Sequence, residues 1–177
     1  WNRYADERLR TDELQRYFDE HRRDFDGTEL RVSHILLRVE GRGKLADPAA
    51  VLAEAARIRD EITSNKITFA DAAPKYSSGP SRDVGGDLGF ISRHEPMVNE
   101  FNTAAFKLQK GEISPPTVTP FGVHLITVTD ERPGTGTWTD VINPLTDAAR
   151  QDLFRRTAAE LRKTANVEYT NLVPHLD

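Results

Sequence analysis

The chain has 177 residues, which suits one domain of ordinary size with helical additions. It is 37% hydrophobic and 29% charged, as globular proteins are, and its net charge of −4 argues against a nucleic-acid-binding surface. The absence of cysteine excludes disulfides and thiolate chemistry, and no apolar stretch approaches the ~20 residues that span a bilayer.

The first half of the chain predicts a helix, a strand and two further helices. Residues 11–25 predict an amphipathic helix, because apolar side chains recur at spacings of three and four. Residues 30–37 are apolar enough for a strand at the centre of a sheet. Glycines and basic residues predict a loop over 40–47. An Asp-Pro pair then opens a helix over 47–65, and a shorter helix follows over 69–76.

The second half predicts the remaining strands and one long helix. A strand is expected at 88–91 and a helix over 98–108. A Pro-Phe-Gly turn joins paired strands over 116–119 and 122–129. The last three predicted segments are a linker over 131–144, a helix over 146–164 and a short strand at 167–169.

Five short sequence blocks lie along the chain in a characteristic order and spacing. They are Val-Ser-His-Ile-Leu-Leu at 32–37, Gly-Gly-Asp-Leu-Gly at 85–89, the segment 97–106, Lys-Gly-Glu-Ile-Ser at 110–114, and Thr-Pro-Phe-Gly-Val-His at 119–124. Together they resemble the parvulin family of peptidyl-prolyl cis/trans isomerases. The resemblance extends over about residues 29–131, more than half of the chain.

The resemblance implies an α+β protein with the parvulin, FKBP-like fold. This fold is a four-stranded antiparallel sheet wrapped by helices, here with extra helices at both ends of the chain. We expect a helical extension over 1–28, the isomerase domain over 29–132, and a linker, helix and short strand over 133–177.

The resemblance also implies a shallow cleft that holds an X-Pro bond. His34 and His124 match the family's paired histidines, and the Thr119 hydroxyl matches a group that bonds to them. The positions that match substrate-binding residues are all apolar. They are Leu88, Ile91, Met97, Phe101, Phe106 and Phe121.

One expected catalytic position departs from the family pattern. Seven residues before Gly85, where many relatives carry cysteine or aspartate, the chain has Ser78. A serine hydroxyl is uncharged, so we expect a Ser78→Asp variant to isomerise faster. In an alternative loop arrangement, Asp83 approaches the site instead.

The implied reaction is rotation about the X-Pro bond of unfolded or exported polypeptides. Rotation about a peptide bond faces a barrier of ~18–20 kcal/mol, and the two X-Pro isomers differ little in free energy. An enzyme for this reaction need only bind the twisted amide more tightly than the planar forms. It needs no nucleophile, and we expect no metal and no cofactor. The alternative function is a non-catalytic holdase that binds extended polypeptides through the same cleft.

Simpler interpretations of single residues stay open. A histidine within a strand is commonly structural, and Met97 and Phe101 alone would be core residues. Arg38, Arg42 and Lys44 could select a phosphorylated residue before proline, but their spread along the loop favours a solvated surface. A hydrolase triad of Ser78, His124 and Asp87 lacks the nucleophile-elbow pattern.

The flanking helices are similar in layout to those of secreted and periplasmic foldases. We therefore expect an extracytoplasmic location, with proline-containing polypeptides as partners and no nucleic acid. No membrane insertion of this chain is expected, and the sequence predicts no oligomeric state.

Overall fold

The computed structural model describes residues 1–38, 40–41, 44–45 and 47–165. The chain divides into two compact units. The larger is His21–Thr137, and the smaller joins Trp1–Glu20 to the segment that starts at Trp138. The strand predicted at 167–169 lies outside the described residues.

The larger unit is built on an antiparallel four-stranded sheet, as predicted. The strands are β1 (Glu29–Leu37), β4 (Asp87–Ile91), β5 (Thr117–Thr119) and β6 (Gly122–Arg132), and a small separate hairpin is formed by β2 (Glu40–Gly41) and β3 (Lys44–Leu45). The order across the main sheet is β4-β1-β6-β5. The apolar β1 therefore lies inside the sheet, between two partners.

Helices cover both faces of this sheet. Those of the larger unit are α3 (Arg22–Phe25), α4 (Pro48–Thr63), α5 (Phe69–Tyr76) and α6 (Asn99–Ala105). Side chains alternate between the faces along β1, so Ile35 packs with α4 and α5 while Leu30 and Val32 pack with α6. The sheet thus separates two apolar cores, and the α6 core is the one that leads to the candidate site.

Local sequence signals explain where the two helices α4 and α5 begin. The Asp47 side chain accepts a hydrogen bond from the Ala49 N–H at 3.0 Å, with Pro48 at the first helical position. The Thr68 hydroxyl caps α5 in the same way, accepting from the Asp71 N–H at 3.1 Å. Both starts agree with the predicted elements.

The helix predicted over 11–25 is divided at His21, whose backbone leaves the helical region. Its second part, α3, is fixed to the larger unit by Arg23. That guanidinium donates to the Leu108 carbonyl at 2.9 Å and to Glu131 at 2.9 Å. These long-range hydrogen bonds, and not the regular spacing of apolar residues over 11–25, determine the position of α3.

The linker predicted over 131–144 is only partly a linker. Strand β6 continues to Arg132, and the next residues return to the segment before β1. The Gly134 N–H donates to the Thr28 hydroxyl at 3.0 Å, and the Gly136 N–H donates to the Asp26 carbonyl at 2.9 Å. The glycines allow this close backbone approach, which closes the larger unit.

Up to residue 165, the smaller unit contains three helices. They are α1 (Asn2–Arg8), which was not predicted, α2 (Thr11–Glu20) and α7 (Ile142–Thr164). Helix α7 starts four residues earlier than predicted because Pro144 is tolerated in a first turn, where no N–H donor is needed. Among the described helices, none combines the length and the apolar character needed to cross a membrane.

Candidate active site

Two histidines on neighbouring central strands form a buried pair. His34 lies on β1 opposite Ile126, and His124 lies on β6 opposite Leu36, so the two side chains are diagonal neighbours on one face of the sheet. Their Nδ1 atoms are 3.2 Å apart, and the rings are stacked with centroids 5.3 Å apart. The pairing inferred from the sequence is therefore present in the geometry.

Thr119 extends this pair on the His124 side. Its Oγ1 lies 2.9 Å from Nε2 of His124 and accepts the Phe121 N–H at 3.1 Å. Thr119 pairs with Gly122 at the end of the β5–β6 hairpin, so the tight turn fixes the hydroxyl beside the imidazole. Two imidazoles and one hydroxyl thus form a continuous polar network.

Phe101 closes the pair from the α6 side. Its ring meets His34 edge-to-face at 5.9 Å between centroids and meets His124 edge-to-face at 5.4 Å. All three side chains are nearly inaccessible to solvent. This environment disfavours charge, because an imidazolium buried against apolar groups loses its hydration.

Burial therefore lowers the pKa of both histidines. For His124, burial and the neighbouring His34 together lower the pKa from 6.5 to about 4. Burial alone lowers the pKa of His34. The pair is consequently neutral at pH 7, and each ring can then donate one hydrogen bond and accept another.

These lowered pKa values predict an acid-sensitive fold. Below pH 6.5 the unfolded histidines bind protons and the folded ones do not, so the free energy of unfolding should fall as pH decreases from 6.5 towards 4. The slope should approach about 1.4 kcal/mol per pH unit for each titrating histidine. Urea unfolding between pH 4 and 7 measures it.

A His124→Gln variant should reduce this slope. Equal slopes for the wild type and His124→Gln would contradict the assignment of acid sensitivity to the pair.

A cavity of about 870 Å³ opens beside the histidine pair. Its apolar wall contains three of the predicted substrate-binding residues, Leu88, Met97 and Phe101, and its polar wall contains His34, Thr119 and His124. Phe121 and Val118 stand at the rim with 64% and 60% of their surface exposed. The structure thus places an apolar pocket directly against a neutral polar network.

Two residues predicted to bind substrate lie elsewhere. Ile91 and Phe106 are 1% and 5% exposed and belong to the α6 core. Neither lines the cavity. The sequence pattern placed them on the correct face of the sheet, but that face extends beyond the cavity into the core.

Ser78 is exposed and does not line the cavity either. Its backbone N–H donates to the Leu36 carbonyl at 2.8 Å, which anchors the loop to β1. Asp83, the alternative acidic group, also lies outside the cavity lining and pairs with Arg82 at 3.3 Å. Both groups thus lie outside the cavity lining, and the faster isomerisation expected of Ser78→Asp stays a prediction.

The neighbours of Ser78 are the loop residues that the sequence interpretation missed. The buried Ser77 hydroxyl oxygen accepts the N–H groups of Leu36 and Gly79, both at 3.1 Å. Gly79 faces His34, since a Cβ placed on it would lie 2.9 Å from Nε2. A run of two serines and a glycine directly after α5 was the available signal, but counting along the chain does not show which residue faces inward.

Arg38 lines the cavity, whereas Arg42 and the Lys44 side chain fall outside the described part of the structure. Among the described residues, no three histidine or acidic side chains are grouped as a metal site requires.

Comparison with known proteins agrees with this architecture. The family model of the PPIC-type PPIase domain, or rotamase, matches residues 34–130, more than half of the chain. The chain is 45% identical over 104 residues to the chaperone SurA of Cupriavidus metallidurans, covering 59% of this chain and 20% of that protein. It is 37% identical over 103 residues to the foldase protein PrsA 1 of Bacillus cereus, covering 58% of this chain and 31% of that protein.

A solved structure gives the same result. The crystal structure of a PpiC-type peptidyl-prolyl cis-trans isomerase domain matches with a TM-score of 0.54 and 26% sequence identity, covering 62% of this chain and 95% of that one. The chain spans between about a fifth and a third of the length of the two curated relatives. With the family model matched across both histidines, the chain belongs to the PPIC-type peptidyl-prolyl cis-trans isomerase, or parvulin, family.

Proposed function

We propose that this chain catalyses cis/trans isomerisation of X-Pro bonds in polypeptides, with residues 29–132 as its catalytic domain. The observation that carries the proposal is the cavity in which an apolar wall faces a buried, neutral histidine pair. Membership in the isomerase family supports the same reaction.

The apolar wall would hold the proline ring. Leu88, Met97 and Phe101 present hydrocarbon and aromatic surface, which suits a pyrrolidine ring that has no N–H to satisfy. Leu88 and Met97 are only partly buried, so a ligand can cover them. Burying the ring there anchors one side of the X-Pro bond while the other side rotates.

The polar network would act on the rotating amide. In the twisted state the amide loses its resonance, and its carbonyl and nitrogen change their hydrogen-bonding strength. Thr119, His34 and His124 line the cavity as neutral groups, held by their own hydrogen bonds. Such preorganised groups can favour the twisted amide over either planar isomer, which is the requirement for rate acceleration.

Removal of the Met97 side chain tests the apolar wall. A Met97→Ala variant should lower kcat/KM for a short proline peptide by about tenfold, because it removes roughly 1–2 kcal/mol of apolar contact with the ring. The domain should stay folded, since Met97 lies at the edge of the α6 core. A protease-free isomerisation assay measures the effect.

The matched control for this test is Leu161→Ala, which shortens an exposed apolar side chain on α7. It should isomerise at the wild-type rate. If Met97→Ala also retained the wild-type rate, the proline ring would not be bound at this wall.

A second function is favoured by the exposed rim residues Val118 and Phe121. A holdase would use this apolar rim to bind extended polypeptides without isomerising them, and one relative is named a chaperone. Wild-type protein that suppresses aggregation of an unfolded client but accelerates no X-Pro exchange would support this alternative. Rate acceleration that is lost in Met97→Ala would exclude the non-catalytic form of it.

The location and clients are part of the same proposal. We place the protein outside the cytoplasm, acting on unfolded or exported polypeptides, and the similarity to a protein named foldase PrsA 1 supports this role. Recovery of the native protein only from the cytoplasmic fraction of its cells would contradict the location.

A further inference from the structure

The Nε2 atom of His34 is the open end of the histidine pair. It is buried, and no described residue forms a hydrogen bond with it. At the opposite end, Nε2 of His124 lies 2.9 Å from the Thr119 hydroxyl. The space beside His34 is bounded by Gly79, whose missing Cβ would lie 2.9 Å from Nε2. Within the described part of the chain, hydrogen bonds thus reach the pair from the Thr119 side only.

The position of Gly79 is fixed relative to the strand that carries His34. Ser77 accepts hydrogen bonds from the N–H of Leu36, on β1, and from the N–H of Gly79. The adjacent Ser78 N–H donates to the Leu36 carbonyl at 2.8 Å. Three hydrogen bonds therefore hold the bare backbone of Gly79 against the imidazole.

The ring protons of the pair can be arranged in two ways, and this asymmetry distinguishes between them. A neutral pair carries two ring protons, and the 3.2 Å contact between the Nδ1 atoms requires one of them. If His124 donates at this contact, the second proton lies on Nε2 of His34, where a buried N–H has no acceptor. A buried N–H without an acceptor is rare in native proteins.

If His34 donates instead, every N–H of the pair is used. The second proton then lies on Nε2 of His124 and is donated to Thr119 at 2.9 Å. The Thr119 hydroxyl in turn donates to the Gly122 carbonyl at 3.4 Å and keeps its bond from the Phe121 N–H. Only a lone pair on His34 stays unpaired, and an unpaired acceptor is tolerated better than an unpaired donor.

We propose that Gly79 is a positioning residue that fixes the proton order of the histidine pair. By offering no partner to Nε2 of His34, it makes the hydrogen bonds run from His34 to His124, then to Thr119 and to the Gly122 carbonyl. His34 thus enters the site as a neutral ring whose Nε2 accepts and does not donate.

No described group near the cavity competes with this order. The charged residue that lines the cavity is the cation Arg38, which is no acceptor for an imidazole N–H. Phe101 meets the His34 ring edge-to-face and has no acceptor atom, and the Ser77 hydroxyl oxygen already accepts two N–H groups. Gly79, which faces Nε2 of His34, adds no side-chain acceptor.

Nitrogen-15 NMR of the imidazole rings in the wild-type protein tests the proposal directly. At pH 7 we expect His34 protonated at Nδ1 and His124 protonated at Nε2. The opposite pattern, with the proton of His34 on Nε2, would overturn the proposal. This measurement needs no variant, so it does not depend on how well substitutions fold.

Aspartate at position 79 should reverse the order. Both substitutions at position 79, Gly79→Asp and Gly79→Ala, require a small shift of the loop or of the His34 ring to admit the Cβ. In Gly79→Asp the carboxylate can then accept from Nε2 of His34, so the proton should move to that nitrogen and the apparent pKa of the pair should rise by about one unit or more. Gly79→Ala adds the Cβ without an acceptor and should keep the wild-type order. Ser78→Asp places the same charge at an exposed neighbour and should also keep it.

Reversal in Ser78→Asp or Gly79→Ala would overturn the proposal, because charge alone or packing alone would then set the order. The proton order belongs to the site of the proposed isomerase and in that sense rests on the proposed function. NMR reports the position of a proton and not a rate. The proton order can therefore be refuted while the isomerase activity is confirmed, and the reverse.

Discussion

Replacing Phe101 with alanine is expected to remove most of the isomerase activity and to lower the free energy of unfolding by about 3–5 kcal/mol. Phe101 is 2% exposed and meets both histidines edge-to-face, so its loss would leave a void in the α6 core and release both rings. Urea unfolding and an X-Pro isomerisation assay on the same preparation measure the two effects.

A conservative variant separates the two roles of Phe101. Phe101→Leu fills much of the volume but removes the aromatic edge, so it should recover most of the stability and only part of the rate. Phe154→Ala, at a phenylalanine that is 56% exposed on α7, should change the rate little. Phe101→Ala with wild-type stability and rate would contradict the placement of this ring between the core and the histidine pair.

The second large effect is expected at Gly86, which directly precedes β4 and approaches the His34 backbone. Its φ of +80° is unfavourable for any residue with a side chain, and a Cβ would lie 2.3 Å from the His34 carbonyl oxygen. Because the His34 N–H also donates to the Gly86 carbonyl at 2.9 Å, the two backbones cannot separate without losing a bond. Gly86→Ala should therefore cost more than about 3 kcal/mol.

Gly89→Ala is the matched control, since Gly89 has a φ of +73° but nothing within 4 Å of the added Cβ. It should cost only the ~1–2 kcal/mol of a left-handed residue. Thermal or urea unfolding of both variants gives the comparison. If Gly86→Ala and Gly89→Ala lowered the free energy of unfolding equally, the close approach of Gly86 to the His34 backbone would not be what makes Gly86→Ala costly.

The parts of the fold that follow from local sequence were predictable. The apolar run that became β1 needs two strand partners, and the Asp-Pro pair before α4 both caps and starts a helix. The histidine pair was also predictable, because matched blocks placed His34 and His124 on strands of one sheet. Their 3.2 Å contact follows from a diagonal register across β1 and β6.

The sequence pattern was insufficient where hydrogen bonds between distant segments decide the geometry. The loop after α5 is anchored to β1 by two hydrogen bonds, one from the Leu36 N–H to the Ser77 hydroxyl and one from the Ser78 N–H to the Leu36 carbonyl. In this anchored loop Gly79 faces His34. No count along the chain contains that information. Ile91 and Phe106 show a different limit, because periodicity assigns a face of the sheet but not the distance from the cavity along it.

Exchange NMR on a short proline peptide mixed with the wild-type protein tests the central claim most directly. Catalysis in the cavity predicts exchange between the cis and trans forms at substoichiometric protein, with peptide-induced shifts concentrated at His34, Met97 and Phe101. Cis–trans exchange that is no faster than the uncatalysed reaction, which takes tens to hundreds of seconds at 25 °C, would contradict catalysis in the cavity.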